Sequence, residues 1–547
     1  MSVVTPTILS NGKPMDKSFE LLSIDIIKEI NRIPYAVLVL IDGSAAKQKF
    51  TISNDAFFEP GNRVDIKLRY ENAPDKELTV FSGLIVKHGV QANERGSMLT
   101  VELKDAALKL HRSRNSKIYK DKTDDKIIAE LIANSGLKKG PMAATQTVHT
   151  EMVQYSCTDW DFIAARAEAC GLLVIADDGA IALNKIEISG SPKHHFEFGI
   201  SEMFDFEIEV DANHQYADIE CIAWDLKTQQ LTKASKAKSF GLTQGNLKVD
   251  RVAQTLGASS QTLSSPIPTD PKALQAWADG SMAKSRMALI RGYVAVPGLG
   301  DIKRMDVMEI AGVGNRFNGK TLVTGVHHRV DPQGWRTNVQ FGLSPERFAT
   351  QKDVTDVPAA GLLPGIHGLQ IGVVATYEED PAKEFRVGIR LPGLGEAAQP
   401  IWARLATPDA GKERGFFFRP EAGDEVVVGF FNNDPGQPVI LGEMYGSKNT
   451  PPKSLAALSE KNIHKGIVSK KGTTISFVDE DKSAVFIETP AKNKILLDDS
   501  AETITLTDQH GNYIKMSKDG IEIKSIKDFK INAANHIDIQ GTLVDIK

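Results

Sequence analysis

The sequence predicts a mainly β protein with a few helices, ending in a needle of short strands that three copies of the chain build together. Three observations carry this. The last eighty or so residues hold no amphipathic helix, only eight apolar pairs at i and i+2 separated by polar spacers. Ahead of them, residues 369–446 contain five short strand candidates within one stretch. The first 353 residues mix alternating strands with three helical segments.

The N-terminal segment reads as follows. Tyr35–Asp42, Arg63–Tyr70 and Thr79–His88 alternate or are continuously apolar, as half-buried strands do. Thr123 is a plausible N-cap for a helix that lines up Ile127, Ile128, Leu131 and Ile132 and stops near Gly136, where a left-handed cap is easily supplied. A second helix starts at Thr158 or Asp159, ends at Gly171 and buries Phe162, Ile163, Ala165 and Ala169. Leu172–Ala176 and Ala180–Leu183 flank Asp177-Asp178-Gly179, a hairpin turn. A third helix opens at Asp270-Pro271, with proline tolerated in the first turn, and is expected to run to about Gly292. Residues 226–269 are rich in Gln, Ser, Thr and Lys and read as an exposed insertion or long loop.

Proline and glycine then mark a linker at 354–368. Leu369–Tyr377, Phe385–Leu391, Ile401–Ala406, Glu425–Phe431 and Pro438–Leu441 suit a small Greek-key barrel of the OB type over residues 369–446. Asn433-Asp434-Pro435-Gly436 supplies turn formers where a hairpin must reverse, and Phe416–Phe418 is placed to cover a barrel end. A second polar linker covers 447–464.

In the needle, 465–547, the pairs are Ile475/Phe477, Val485/Ile487, Ile495/Leu497, Ile504/Leu506, Ile514/Met516, Ile521/Ile523, Phe529/Ile531 and Ile537/Ile539. Their starts step by 10, 10, 9, 10, 7, 8 and 8 residues, the spacing of a stacked β array. Both members of a pair point to one face of a strand. One chain offers only a thin apolar stripe, too little to bury well alone. Three chains around one axis would bury it and pair every strand edge, and a single-chain solenoid is the alternative. Polar residues such as Lys515, Glu522, Lys524 and Lys530 face outward on this reading.

Composition narrows the function classes. Charged residues make up 25% and hydrophobic ones 41%, normal for a soluble protein with ample core. Net charge is −5 with acids and bases interspersed, which argues against nucleic acid as the main partner. No stretch approaches the roughly 20 apolar residues that span a bilayer. The first 17 residues are polar and lack a signal-peptide core, and the three cysteines lack metal or redox spacing. Assembly in the cytoplasm, with a leaderless route out, is the expectation.

The middle segment carries a resemblance. Gly372-Val373-Val374, Asp380-Pro381, Phe385-Arg386-Val387, Trp402-Ala403-Arg404, Phe418-Arg419-Pro420, Gly423-Asp424-Glu425-Val426, Asn433-Asp434-Pro435-Gly436-Gln437-Pro438 and Gly442-Glu443-Met444-Tyr445 follow in order. The series resembles the OB-barrel signature of the VgrG proteins and the spikes of contractile phage tails. Gln154-Tyr155, Thr158-Asp159-Trp160-Asp161-Phe162-Ile163, Arg166, Glu168 and Gly171-Leu172 look like the family's hub segment. So does Phe317-Asn318-Gly319-Lys320 with Val323, Val326, His327 and His328, followed by Gly334-Trp335-Arg336-Thr337. The resemblance implies a hub over residues 1–353 with two tube-docking β-barrels, then the OB barrel, then a trimeric intertwined β-helix needle. It implies as partners two further copies of the chain, a hexameric tail-tube protein at the hub, baseplate proteins, a PAAR-type tip protein at the needle end and a transient target membrane. The sixteen paired side chains above would form the needle core, and Val544, Asp545, Ile546 and Lys547 would meet the tip protein. Within this class, an extracellular phage-tail-like particle is preferred to a cell-anchored type VI system.

No catalytic, cofactor or metal residue is expected. His327-His328 and His194-His195 are adjacent pairs whose strand side chains diverge. Gly298-Leu299-Gly300, Gly312-Val313-Gly314 and Gly393-Leu394-Gly395 lack the third glycine and the helix of a dinucleotide loop. Glu378-Glu379-Asp380 reads as a solvated turn rather than a cation loop. His510 shares parity with Leu506 and would reach a threefold axis unless Gly511 resets the strand, while His536 points outward. A β-helical depolymerase is the enzymatic alternative, with Asp498-Asp499 its nearest carboxylate pair, but neighbouring strand residues diverge. A tail adaptor that never punctures is the third reading.

Overall fold

Two compact units, Met1–Asp356 and Val357–Lys547, divide the chain in a computed structural model. It describes all residues except 1–2, 95, 258, 352–353, 355–356, 396–398 and 457–459, so parts of both expected linkers and the start of the N-terminal stretch lie outside the described residues.

The first unit is organised by alternation. Ile24 and Ile26 in Leu21–Glu29, Ala36, Leu38 and Leu40 in Tyr35–Ile41, and Leu99, Val101 and Leu103 in Gly96–Lys104 are fully buried, while their neighbours are not. These strands belong to one 13-stranded sheet. Its path runs Asp205–Val210, Ile290–Pro297, Gly334–Phe341, Gly319–Asp331, Leu21–Glu29, Tyr35–Ile41, Gly96–Lys104, Leu78–Asn93, Arg63–Tyr70, Val4–Ser10 and Lys13–Pro14. The resemblance implies two β-barrels in the hub; the strands of its two halves here belong to one sheet, joined where Leu21–Glu29 pairs with Gly319–Asp331. Each half keeps its own core: Ile24, Leu38, Ile66 and Phe81 in one, Met308, Val323, Val339 and Phe341 in the other.

Two of the helices lie between the halves in sequence. Asp124–Asn134 starts after Thr123, whose side chain makes no capping bond; Thr145 Oγ1 instead accepts from the Asp125 N–H (3.2 Å). Asp159–Ala169 is capped by Thr158, which accepts from the Asp161 N–H (3.1 Å). Its buried side centres on Trp160, Phe162, Ile163 and Ala167, with Ala165 and Ala169 half-buried. Leu172–Asp177 and Ala180–Lys185 form the expected hairpin, with positive φ at Asp178 (48°) and Gly179 (82°), as a type I′ turn requires. Asp177 accepts from Lys28 Nζ (2.8 Å) and from Arg304 Nη2 (2.9 Å), which pins the hairpin to the sheet.

Two expectations fail here. The third helix is Pro271–Met287 and stops short of Gly292, because Ile290–Pro297 is a strand paired on both sides. Residues 226–269 are not a bare loop: Ser260–Ser265 pairs in parallel with Asp218–Asp225, and Val249–Thr255 is helical. Their polar composition hid them, since the buried contribution rests on single residues, Leu263 and Ala253.

In the second unit, Gln370–Val374, Val387–Arg390, Ile401–Leu405, Pro438–Glu443 and Glu425–Phe430 close into a five-stranded barrel around Val374, Val387, Ile389, Ala403, Val426, Val428 and Ile440. Asp380 is buried rather than solvated. It accepts from Arg386 Nη2 (2.7 Å) and from the backbone N–H groups of Ala382 and Glu384. The Arg386 guanidinium holds that carboxyl far below the usual carboxylate range. Phe416, Phe417 and Phe418 do not cover the barrel; they are 51%, 77% and 59% exposed, because Asp409 and Arg414 hold a small turn that carries them outward.

Candidate trimer interface

The needle strands are five residues long and follow one another as an antiparallel meander, each hydrogen-bonded to the strand before and after it in the same chain. They are Thr474–Val478, Ala484–Glu488, Lys494–Asp498, Thr503–Thr507, Tyr513–Ser517 and Gly520–Lys524, preceded by His464–Val468, a strand the apolar-pair pattern misses because only Ile467 marks it. The ladder hydrogen bonds between these strands therefore lie within one chain, and along the meander it is a face of the sheet that stays open.

The register makes that face continuous. Ile475 stands opposite Ile487, Phe477 opposite Val485, Val485 opposite Leu497 and Ile487 opposite Ile495. Ile495 then meets Leu506 and Leu497 meets Ile504; Ile504 meets Met516, Leu506 meets Ile514, and Ile514 and Met516 meet Ile523 and Ile521. Twelve of the sixteen predicted side chains thus share one face of one sheet. They are not buried there: Ile475 is 37% exposed, Leu497 45% and Leu506 49%. The other face carries Ser476, Phe486, Leu496, Thr505, Lys515 and Glu522, with Lys494 Nζ 4.8 Å above the Phe486 ring.

Phe529, Ile531, Ile537 and Ile539 are placed differently: they lie in no strand and are 46–63% exposed. Val544 and Ile546 are exposed, as are Asp545 and Lys547, which face each other at 3.5 Å.

Turns on one side of the meander repeat a closed design the apolar pattern did not reveal. The N–H groups of Ser469, Thr489 and Asp508 donate to the carbonyls of Thr473, Asn493 and Asn512. Asn493 Oδ1 accepts from the Gln509 N–H (3.1 Å), stitching the second of these turns to the third, and Asn512 Oδ1 accepts from the Ile526 N–H (2.9 Å), stitching the third to the segment after Lys524. His510 lies in such a turn, exposed, with Gly511 at φ 92°, and does not share the apolar face. Asp498 and Asp499 also sit at a strand end; the Asp498 side chain accepts from the Ala501 N–H (3.0 Å).

The remaining candidates have structural partners. His327 Nε2 lies 3.1 Å from Asp25, and His328 Nδ1 lies 3.0 Å from Thr337 Oγ1. Gly298 and Gly300 let the Trp335 ring approach; a Cβ on Gly298 would stand 2.0 Å from it. Gly171 and Gly280 allow two helices to touch, a Cβ on Gly280 falling 2.3 Å from the Gly171 Cα. The Cys170 thiol, half-buried beside Asp124, is pushed up to about 12 by burial and by that carboxylate, so it is inert as a nucleophile. Among the described residues no group of three or more His, Cys, Asp or Glu side chains is arranged to hold a metal ion.

His328 gives a pH prediction. Burial, then Lys28 and His327, depress its pKa from 6.5 to about 3. An imidazole depressed on folding is neutral in the hub while the unfolded chain takes up a proton below pH 6.5. Its contribution is therefore fully present above about pH 6.5 and is lost as pH falls towards 3, by roughly 1.4 kcal/mol per pH unit. A His328→Gln hub should show a shallower fall in melting temperature between pH 6.5 and 4 than the unsubstituted chain; equal slopes would refute the assignment.

Comparison with known proteins places the segments. Residues 1–332 match the family described as Alg8 N-terminal domain. Residues 370–445 match the type VI secretion system/phage-baseplate injector OB domain, and residues 484–547 match the phage baseplate V C-terminal trimerisation domain. The type VI secretion system spike protein VgrG1a of Pseudomonas aeruginosa is 37% identical over 173 residues, 29% of this chain and 27% of that protein. The actin cross-linking toxin VgrG1 of Vibrio cholerae is 38% identical over 82 residues, 14% of this chain and 8% of that protein. The matches thus span well under two thirds of either relative. Among solved structures, a tail protein of Neisseria meningitidis aligns with TM-score 0.45 at 13% identity, covering 63% of this chain and 98% of that one. An Escherichia coli component of the type VI secretion system aligns with TM-score 0.38 at 10% identity, covering 80% and 99%.

Proposed function

We infer the role of this chain from its family: it belongs to the family of the Alg8 N-terminal domain and, through its barrel and trimerisation segment, to the VgrG-type spikes of contractile injection machines. On that premise we propose that it works as a homotrimeric spike that caps a tail tube, pierces a target envelope and carries a tip protein or cargo. The observation that carries this reading is the continuous apolar face of the needle meander, from Ile475 to Ile523, left open in the single chain. Covering one of these half-exposed side chains contributes about 1 kcal/mol, so a dozen per chain favour association strongly.

Geometry suits the mechanical role. Seven strands about 4.8 Å apart rise about 30 Å along the needle. Force along that direction loads five-residue ladders in series within each chain, while the shared apolar core holds the three sheets together. Residues 525–547, which have no strand partner of their own, would complete their pairing with the other copies, and Val544, Asp545, Ile546 and Lys547 would present the end to a PAAR-type tip protein. The hub would take the hexameric tube and the baseplate. The barrel matches a family named for both type VI secretion and the phage baseplate, so the setting carried forward is the wider class of contractile machines.

The role proposed is not catalytic. Clear hydrolysis of cell wall or capsule by the purified protein would overturn that part. The solution mass of the full chain tests the rest: about three times 59.6 kDa supports the trimeric spike, and a monomer overturns it.

A further inference from the structure

A strand of the hub leaves one edge open onto a cavity. Val148–Thr158 pairs along one side with Arg114–Thr123, and the two form a sheet of their own. The outer edge of that sheet, on Arg114–Thr123, carries Arg114, Lys117, Lys120 and Lys122 and is kinked at Asp121, where φ is 52°. Charges and irregularities of this kind keep an edge from pairing. The inner edge has no such guard. Val148 to Val153 contains no lysine, arginine or proline, and Val148 and Val153 are 62% and 50% exposed.

Residues 144–153 line a cavity of about 1540 Å³ in an unbroken run. Clefts for small ligands hold about 300–1,000 Å³, so this one suits a longer occupant. Another part of its wall is Pro266-Ile267-Pro268, ahead of the helix Pro271–Met287. Proline has no N–H, so this stretch offers apolar contact and not a second ladder. Ile267 is 64% exposed, and its carbonyl accepts from Ser265 Oγ (3.1 Å) and Thr269 Oγ1 (3.2 Å), which hold the stretch in place.

The charges of the cavity point to an uncharged occupant. Asp124 accepts from Arg166 Nε (2.7 Å) and lies 2.8 Å from His149 Nε2, and Lys238 pairs with Asp279 (3.4 Å). The other lining charges, Glu151, Glu187 and Asp270 against Lys185 and Lys272, are exposed to solvent and nearly cancel.

We propose that the hub binds an extended, uncharged segment of a partner protein in this cavity, added as a third strand along Val148–Val153. Main-chain groups on the open edge hold it, and alternate side chains rest on Pro266, Ile267 and Pro268. Six residues at about 3.3 Å each give an edge about 20 Å long, enough for a strand of ordinary length. The site lies wholly in the hub and does not need the trimeric reading, which the mass of the full chain tests separately.

The test is binding of a capped peptide of about eight residues, alternating valine and threonine, to the full chain. Amides on the open edge of 148–153 should exchange freely in the purified chain and slow at least about tenfold at saturating peptide, with the outer edge of Arg114–Thr123 unaffected. A peptide of the same length with two internal prolines should bind at least about tenfold more weakly, since proline cannot donate to a ladder. Ile267→Asp, at an exposed position, should weaken binding by about tenfold without changing the mass of the chain. No binding, equal binding of the proline peptide, an unaffected Ile267→Asp variant or protection elsewhere overturns the strand addition. So do edge amides that are already slow in the purified chain, because the chain itself then fills the groove. Each of these outcomes leaves the spike reading intact.

Discussion

Replacing Leu497 and Leu506 together by aspartate should convert the trimer into monomers of 59.6 kDa, read by light scattering after gel filtration. Leu497 stands between Val485 and Ile504, and Leu506 between Ile495 and Ile514, at the middle of the apolar face. Each substitution turns one carboxylate per chain towards a shared apolar core, so six charges would be desolvated without partners. Every such burial costs several kcal/mol. The same strand offers its own control. Thr505 lies on the opposite face, directly across from Lys515, so Thr505→Glu adds a charge beside a lysine and should leave the mass unchanged. A double aspartate variant that stays trimeric would show that this face is not what holds the copies together.

The second large effect lies in the hub. Arg304→Ala should lower the stability of the first unit by about 3–5 kcal/mol, seen as a fall in its melting temperature. The Arg304 side chain is 3% exposed and donates to the carbonyls of Ala176 (2.7 Å) and Glu29 (3.3 Å) as well as to Asp177. It therefore ties the central strand Leu21–Glu29, the hairpin after Leu172 and the loop before Val307 to one planar fork. Alanine strands two carbonyls and leaves Asp177 with Lys28 alone. Arg304→Lys keeps the charge but not the fork, so it should recover only part of the loss. Burial raises the Asp177 carboxyl, yet Lys28 and Arg304 outweigh it and the net pKa is lowered. For a carboxylate depressed on folding, the stability is present above about pH 4 and is lost as pH falls through the lowered value. The Arg304→Ala hub should consequently lose less on going from pH 4 to pH 2 than the unsubstituted one, and an unchanged acid profile would refute the pairing.

Local rules made much of the chain legible. Thr158 before Asp161 and Asp178-Gly179 at a reversal act through their own backbone, so the second helix and the type I′ hairpin were readable residue by residue. The five barrel strands were found because each buries one or two β-branched or aliphatic residues between turn formers. Long-range partners were not readable. Ser260–Ser265 is polar in sequence and is a strand only because Asp218–Asp225 lies beside it. Gly292 looked like a helix stop and sits in a strand whose neighbour, Glu207, leaves no room for a Cβ. Phe416–Phe418 looked like a barrel lid and are held outward by a turn.

The needle divides the two kinds of knowledge most sharply. Side-chain parity is a property of the chain itself, because a strand sends residues i and i+2 to the same face whatever it pairs with. The sequence therefore determined by itself which side chains form the apolar stripe, from Ile475 to Ile523. Which backbone groups meet is not encoded in parity, since hydrogen bonds within one chain and between three chains satisfy the same N–H and C=O groups. Only the tertiary structure decided that the ladder to Lys524 is a meander within the chain. It also decided that Asn493 and Asn512 stitch its turns, and that one edge of the hub sheet ends without a partner, because each depends on distant residues coming into contact.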